Sequence, residues 1–109
     1  MFKFFFIFNF LILITATHAF EENGKTFIRQ LLKWNIDFLN LSNFKAGAGC
    51  MVPNSKKYDA LGLSYNLADI EYAKTIALQG CEQMKKKNKI LAECKCEIIY
   101  VNDNLVIKE

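Results

Sequence analysis

Histidine is all but missing from this chain: the single residue is His18, and it lies in a segment that reads as a cleavable leader. Without that leader the remaining domain holds no imidazole. It therefore has no Ser/His or Cys/His nucleophile pair and no histidine metal ligand. Cys-x-x-Cys is missing as well. Cys50 and Cys81 are isolated, and Cys94 and Cys96 are one residue apart, which suits neither the thiol redox motif nor the paired knuckles of a zinc ribbon. The only proline is Pro53. With no Pro- or Ser-rich linker and no internal repeat, nothing divides the chain into two domains. Gly24, Gly47, Gly49, Gly62 and Gly80 form no phosphate-binding loop.

Strong charge is absent too. Removing residues 1–19 takes away Lys3 and leaves 13 basic against 11 acidic residues, a formal charge of +2. That is too mild to imply nucleic acid or an anionic membrane as a partner. Phe, Ile, Lys and Asn, all with AT-rich codons, make up 44 of the 109 residues, so lysine and phenylalanine counts carry no functional message.

What is present begins with an export signal. Met1-Phe2-Lys3 is a short positive start, and Phe4 to Ile14 is apolar apart from Asn9, the n- and h-regions of a signal peptide. Thr17-His18-Ala19 places small residues at the cleavage positions, so cleavage is expected after Ala19, leaving 20–109 as a single mature domain. The alternative is that residues 4–19 stay as a membrane anchor, but the run is shorter than the roughly 20 apolar residues a span needs. No second hydrophobic run exists for a multi-span protein. Ninety residues make a small domain that buries only about 60–65% of its unfolded surface, and disulfides worth roughly 2–4 kcal/mol each would compensate.

Along the mature chain, Phe27, Leu31, Trp34 and Phe38 recur at helical spacing with Ile28, Leu32 and Leu39 beside them, which predicts an amphipathic helix over 24–40. Residues 44–52 alternate, with Phe44, Ala46, Ala48, Cys50 and Val52 on one face. After the turn residues 53–57, residues 58–65 alternate again, and the two runs predict an antiparallel hairpin. Asn66 is a candidate cap for a helix over 67–87, whose core face carries Ile70, Ala73, Ala77, Cys81 and Met84. Lys85, Lys86, Lys87 and Lys89 fall at its C-terminal end, where cations complement the helix dipole. Cys94, Cys96, Ile98 and Tyr100 alternate through a strand at 94–101, and Asn102-Asp103-Asn104 turns the chain into a last strand at 104–108. The expected fold is α+β: a small antiparallel sheet of about four strands packed by one central helix, with an additional N-terminal amphipathic helix, stabilised by disulfides.

Four cysteines allow three pairings. Cys81 on the helix core face reaches either Cys94 or Cys96 on the next strand, and bridging those two to each other would strain the ring. The preferred set is Cys81 with Cys96 and Cys50 with Cys94; exchanging Cys94 and Cys96 is the close second. In an exported chain disulfides are favoured over a four-thiolate zinc site, so no metal and no cofactor is expected.

The runs Lys45-Ala46-Gly47-Ala48, Ala60 to Tyr65, Ala73 to Cys81 and Cys96 to Asp103 resemble a group of small exported bacterial domains of unknown function. In these a strand pair precedes a helix ending in an "AL..C" motif and a cysteine-led strand follows. The resemblance covers 45–107; it departs at Gly47 and Leu61, where that group carries aromatics. It implies a sheet-and-helix domain with a disulfide at Cys81, a cell-envelope or secreted location, and no catalytic residues. It also makes Asn40-Leu41-Ser42, a sequon in a secreted eukaryotic protein, a coincidence.

The expected function is a non-catalytic binding or inhibitory module of the envelope or extracellular space, acting on another exported protein or an envelope polymer. The alternatives are a small exported hydrolase using two of Asp59, Asp69, Glu71, Glu93 and Glu97, which would have to converge in a cleft, and a structural envelope component or secreted effector whose N-terminal helix docks a partner.

Overall fold

A computed structural model of the chain describes residues 22–90 and 93–106. The expected signal peptide, its cleavage site at Ala19 and the end of the last expected strand lie outside the described residues. The elements are α1 over residues 22–32, a 3-10 turn at Phe38–Asn40, β1 (Ala46–Cys50), β2 (Ala60–Ser64), α2 (Ile70–Lys87), β3 (Glu97–Val101) and β4 (Asn104–Leu105). The strands form one sheet in the order β2-β1-β3-β4, antiparallel at every pairing.

Both faces of the sheet are covered, and every residue of β1 is buried. One core sets Ala46, Ala48, Cys50, Ala60 and Ile98 against Ala73, Ala77 and Cys81 of α2. The other sets Phe27 and Leu31 of α1 with Phe38, Tyr58 and Leu61. Small residues let α2 lie almost on the sheet backbone: a Cβ at Gly62 would overlap the Ala77 carbonyl oxygen and the Cys81 nitrogen. On the other face, a Cβ at Gly47 would enter the Phe27 ring. Gly47 therefore makes room for the aromatic cluster, in which Phe27 meets Phe38 edge-on at 5.6 Å and Tyr100 at 5.8 Å. Edge-on and tilted contacts of this kind add to the area the rings bury.

Helix α1 ends at residue 32, short of the expected end at 40. Asn35 takes a left-handed conformation, φ 63°; its N–H donates to the Leu32 carbonyl at 2.9 Å, and the Ile36 N–H donates to Leu31 at 3.0 Å. This is a Schellman stop with asparagine at the left-handed position. Ile36 and Leu31 join the same core, which supplies the motif's apolar contact. The stop breaks the predicted stripe. Phe38 reaches the core from its own 3-10 turn, whereas Trp34, at 52% exposure, faces solvent.

Helix α2 starts three residues later than expected, because Asp69 rather than Asn66 is its cap: the Asp69 carboxylate accepts from the Tyr72 N–H at 2.8 Å. Asn66 sits at φ 57° in the preceding turn. At the other end Lys89 is left-handed, φ 55°, and Ile90 donates to the Lys85 carbonyl at 3.0 Å, a second Schellman stop. Strands β1 and β2 are trimmed relative to 44–52 and 58–65. Phe44 is exposed, and Asp59 is drawn out of the ladder, its carboxylate accepting from the Val52 N–H at 2.9 Å.

The third strand begins at Glu97 rather than Cys94, because its pairing with β1 ends at Gly49↔Glu97. It also carries a bulge. Gly47 pairs with Tyr100 and Ala48 with Ile98, so Ile99 is the extra residue. The bulge reverses the alternation: Cys96 and Ile98 face α2, while Tyr100, expected on their face, packs with Phe27 and Phe38 on the other side.

Candidate functional site

The four cysteines form two disulfides, Cys50–Cys94 and Cys81–Cys96, with Cα separations of 5.3 and 6.1 Å. These are the two pairs that the helix and strand faces rank first. All four cysteines are buried. The first bridge ties the end of β1 to the segment entering β3, and the second ties the middle of α2 to the same segment.

That segment alternates. Cys94, Cys96 and Ile98 point inward, and Glu93, Lys95 and Glu97 are exposed. The exposed set lines a cleft of about 320 Å³ on the α1 side of the sheet, with Gly49 and Tyr58 among its walls and Leu105 at its β4 side. Tyr58 is fixed from α1: Gln30 accepts from its backbone N–H at 2.7 Å and donates to its carbonyl at 3.0 Å. Burial, with smaller contributions from neighbouring Tyr100 and Glu97, pushes the Tyr58 hydroxyl up to about 12. It therefore remains a neutral hydrogen-bond donor at any physiological pH. Burial raises Tyr100 in the same direction.

Of the five carboxylates that could serve chemistry, Glu93 and Glu97 line this one cleft. The other three are used elsewhere. Asp59 holds the β1–β2 turn, Asp69 caps α2 and Glu71 pairs with Lys74 on the exposed helix surface. The cleft thus offers two carboxylates, one ammonium and one phenol beside apolar side chains, a mixture suited to holding a polar ligand against a rigid sheet.

Strand alternation assigns Lys45 no special role, yet it is 1% exposed. Its Nζ donates to the carbonyls of Phe38, Leu39 and Leu41 at 2.9, 3.1 and 2.9 Å and lies 5.0 Å from the centre of the Phe38 ring. The Phe38 carbonyl also accepts from the Leu41 N–H at 3.1 Å, so the ammonium adds to the turn's own bond there and gives a partner to the Leu39 and Leu41 carbonyls beyond it. The group is structural: every hydrogen on the ammonium has an acceptor. The signal that points to it is a lysine immediately before an otherwise apolar run, Ala46 to Cys50.

Helix α1 docks on its own sheet, with Phe27 and Leu31 fully buried, so its apolar face is occupied. Asn40 of the sequon is exposed. Among the described residues no helix is long and apolar enough to cross a membrane. Compared with protein-family models, with curated proteins and with solved structures, the chain matches nothing in any of the three.

Proposed function

We propose that this is an exported, disulfide-stapled binding or inhibitory module without catalytic activity, and that the cleft beside β3 is its recognition surface. The observation that carries this reading is the placement of Glu93, Lys95, Glu97 and Tyr58 around one cleft of about 320 Å³ on a frame braced by Cys50–Cys94. A rigid frame lowers the ordering cost of binding. The partner is another exported protein or an envelope polymer, in keeping with the signal peptide expected at residues 1–19 and with the bacterial resemblance. The test is capture of envelope components by the oxidised mature protein, compared side by side with Lys95→Glu and Glu97→Lys. Specific capture that both charge reversals abolish supports the reading. Capture indifferent to both sinks it.

A second reading, a carboxylate-dependent hydrolase, draws on one observation: Glu93 and Glu97 share the cleft, and two carboxylates suffice to cleave a glycosidic bond. Release of reducing ends from purified envelope glycan, lost in both Glu93→Gln and Glu97→Gln, would replace the first reading with this one.

A further inference from the structure

The two disulfides are neighbours. The sulfur atoms of Cys50, Cys81 and Cys96 all lie within 4.8 Å of one another, and Cys94 joins the group through its bond to Cys50. Three different parts of the fold supply them: the end of β1, the middle of α2 and the segment entering β3. We propose that in the reduced protein these four sulfurs form a zinc site, so that the same cysteines staple the fold by disulfides when oxidised and by a thiophilic divalent cation when reduced.

The geometry fits this chemistry. A tetrahedral zinc–thiolate centre has Zn–S bonds of about 2.3 Å, which places its sulfurs roughly 3.8 Å apart. The sulfurs of Cys50, Cys81 and Cys96 already sit inside a sphere of that scale. Opening the disulfides frees the bonded sulfurs, Cys50 with Cys94 and Cys81 with Cys96, to separate toward the required spacing. All four positions are buried, which excludes competing water, and residues 20–109 contain no histidine, so the donors are thiolates only. Sequence spacing hides the site, because it lacks Cys-x-x-Cys knuckles; the fold assembles it from separate elements.

The reaction balances with a dithiol reductant. Each protein disulfide takes two electrons and two protons from one dithiol, giving two protein thiols and one cyclic disulfide. The thiols then release their protons as the cation binds, so binding weakens as pH falls. A chain that has not yet been exported stands in a reducing compartment, where this form is the relevant one.

The test uses the mature protein reduced with dithiothreitol, desalted without oxygen and titrated with Co²⁺ as a spectroscopic probe, then with Zn²⁺. The expected result is one cobalt per chain, with the visible bands of a tetrahedral thiolate centre, displacement by zinc, and recovery of the helical circular dichroism of the oxidised protein. Cys50→Ser and Cys81→Ser should each weaken binding more than about 100-fold, beyond the loss typical of an outer-shell change. The oxidised protein should show no thiolate bands. Gly62→Val, which prevents α2 from seating, separates a folded site from four loose thiols and should weaken binding in the reduced form. Absence of the bands in the reduced wild type overturns the proposal. So does binding as tight as the wild type's by Gly62→Val or by Cys50→Ser.

Discussion

Lys45 and Asp103 form an ion pair of 2.7 Å in which the lysine is 1% exposed and the aspartate 65%. The two halves of the pair therefore differ in energetic weight. Lys45 also donates to three carbonyls of residues 38–41, while its own backbone is held by Asn102 through both N–H and carbonyl. One residue thus fastens the connection after α1 to the β3–β4 turn. Lys45→Met should destabilise the oxidised protein by about 2 kcal/mol, since it removes three charge-assisted hydrogen bonds and leaves the part-buried Leu39 and Leu41 carbonyls without the ammonium. Asp103→Asn should cost less than about 1 kcal/mol, because its carboxylate is solvated. Urea unfolding of the two variants checks this; equal losses would show that the exposed carboxylate, not the carbonyls, is what Lys45 serves.

Gly62 and Gly24 make a second contrast. A methyl at Gly62 would overlap helix backbone, whereas one at Gly24 meets the flexible end of Leu105 at 2.9 Å. Gly62→Ala should cost about 3 kcal/mol or more through displacement of α2. At Gly24, within α1, the gain in helix propensity of roughly 1 kcal/mol offsets the contact, so Gly24→Ala should shift stability by less than about 1 kcal/mol. Thermal unfolding of both variants decides it.

Much of this architecture is legible in the sequence because the determinants are local. Strand alternation in β1 and β2, the small-residue face of α2 and the turn at Asn102 all act within a few residues. What is not legible depends on a single residue's backbone or on distant partners. Asn35 stops α1 by adopting a left-handed conformation, and nothing in the neighbouring sequence marks it apart from the chain's other asparagines. Helical spacing therefore places Trp34 in a core it does not enter. The Ile99 bulge reassigns Tyr100 to the opposite face, and no alternation pattern announces which residue is extra. Glu93 and Glu97 are legible as exposed; that they share a cleft with Tyr58 depends on Gln30 of α1 holding the loop before β2.

The disulfides close loops of different length, with sequence separations of 44 for Cys50–Cys94 and 15 for Cys81–Cys96. On the chain-entropy account the longer loop contributes about 4 kcal/mol and the shorter about 3 kcal/mol. Replacing Cys50 and Cys94 together by alanine should therefore lower stability by about 1 kcal/mol more than replacing Cys81 and Cys96. Denaturant midpoints of the two double variants test the order, and the reverse order would mean that anchoring α2 outweighs loop length.

Tyr58 gives the fold a pH dependence at its alkaline limit. Burial first, then nearby Tyr100 and Glu97, raises its hydroxyl from 10.0 to about 12, so the folded state holds the proton more tightly than the unfolded chain does. The associated stability is complete below pH 10 and is lost as pH rises through about 12. Linkage alone would make it about 3 kcal/mol, and solvent reaching the ring's edge through the cleft screens it to about 2 kcal/mol. Stability measured by urea at stepped pH should fall across that window in the wild type, and the fall should be shallower in Tyr58→Phe. A phenolate absorbance titration gives the second check, since the wild type should show a tyrosine ionising near pH 12 whose signal is absent from Tyr58→Phe. Unchanged pH dependence in Tyr58→Phe would show that Tyr58 ionises without opening the second core, and that its ring, not its proton, is what Phe27 and Leu61 hold in place.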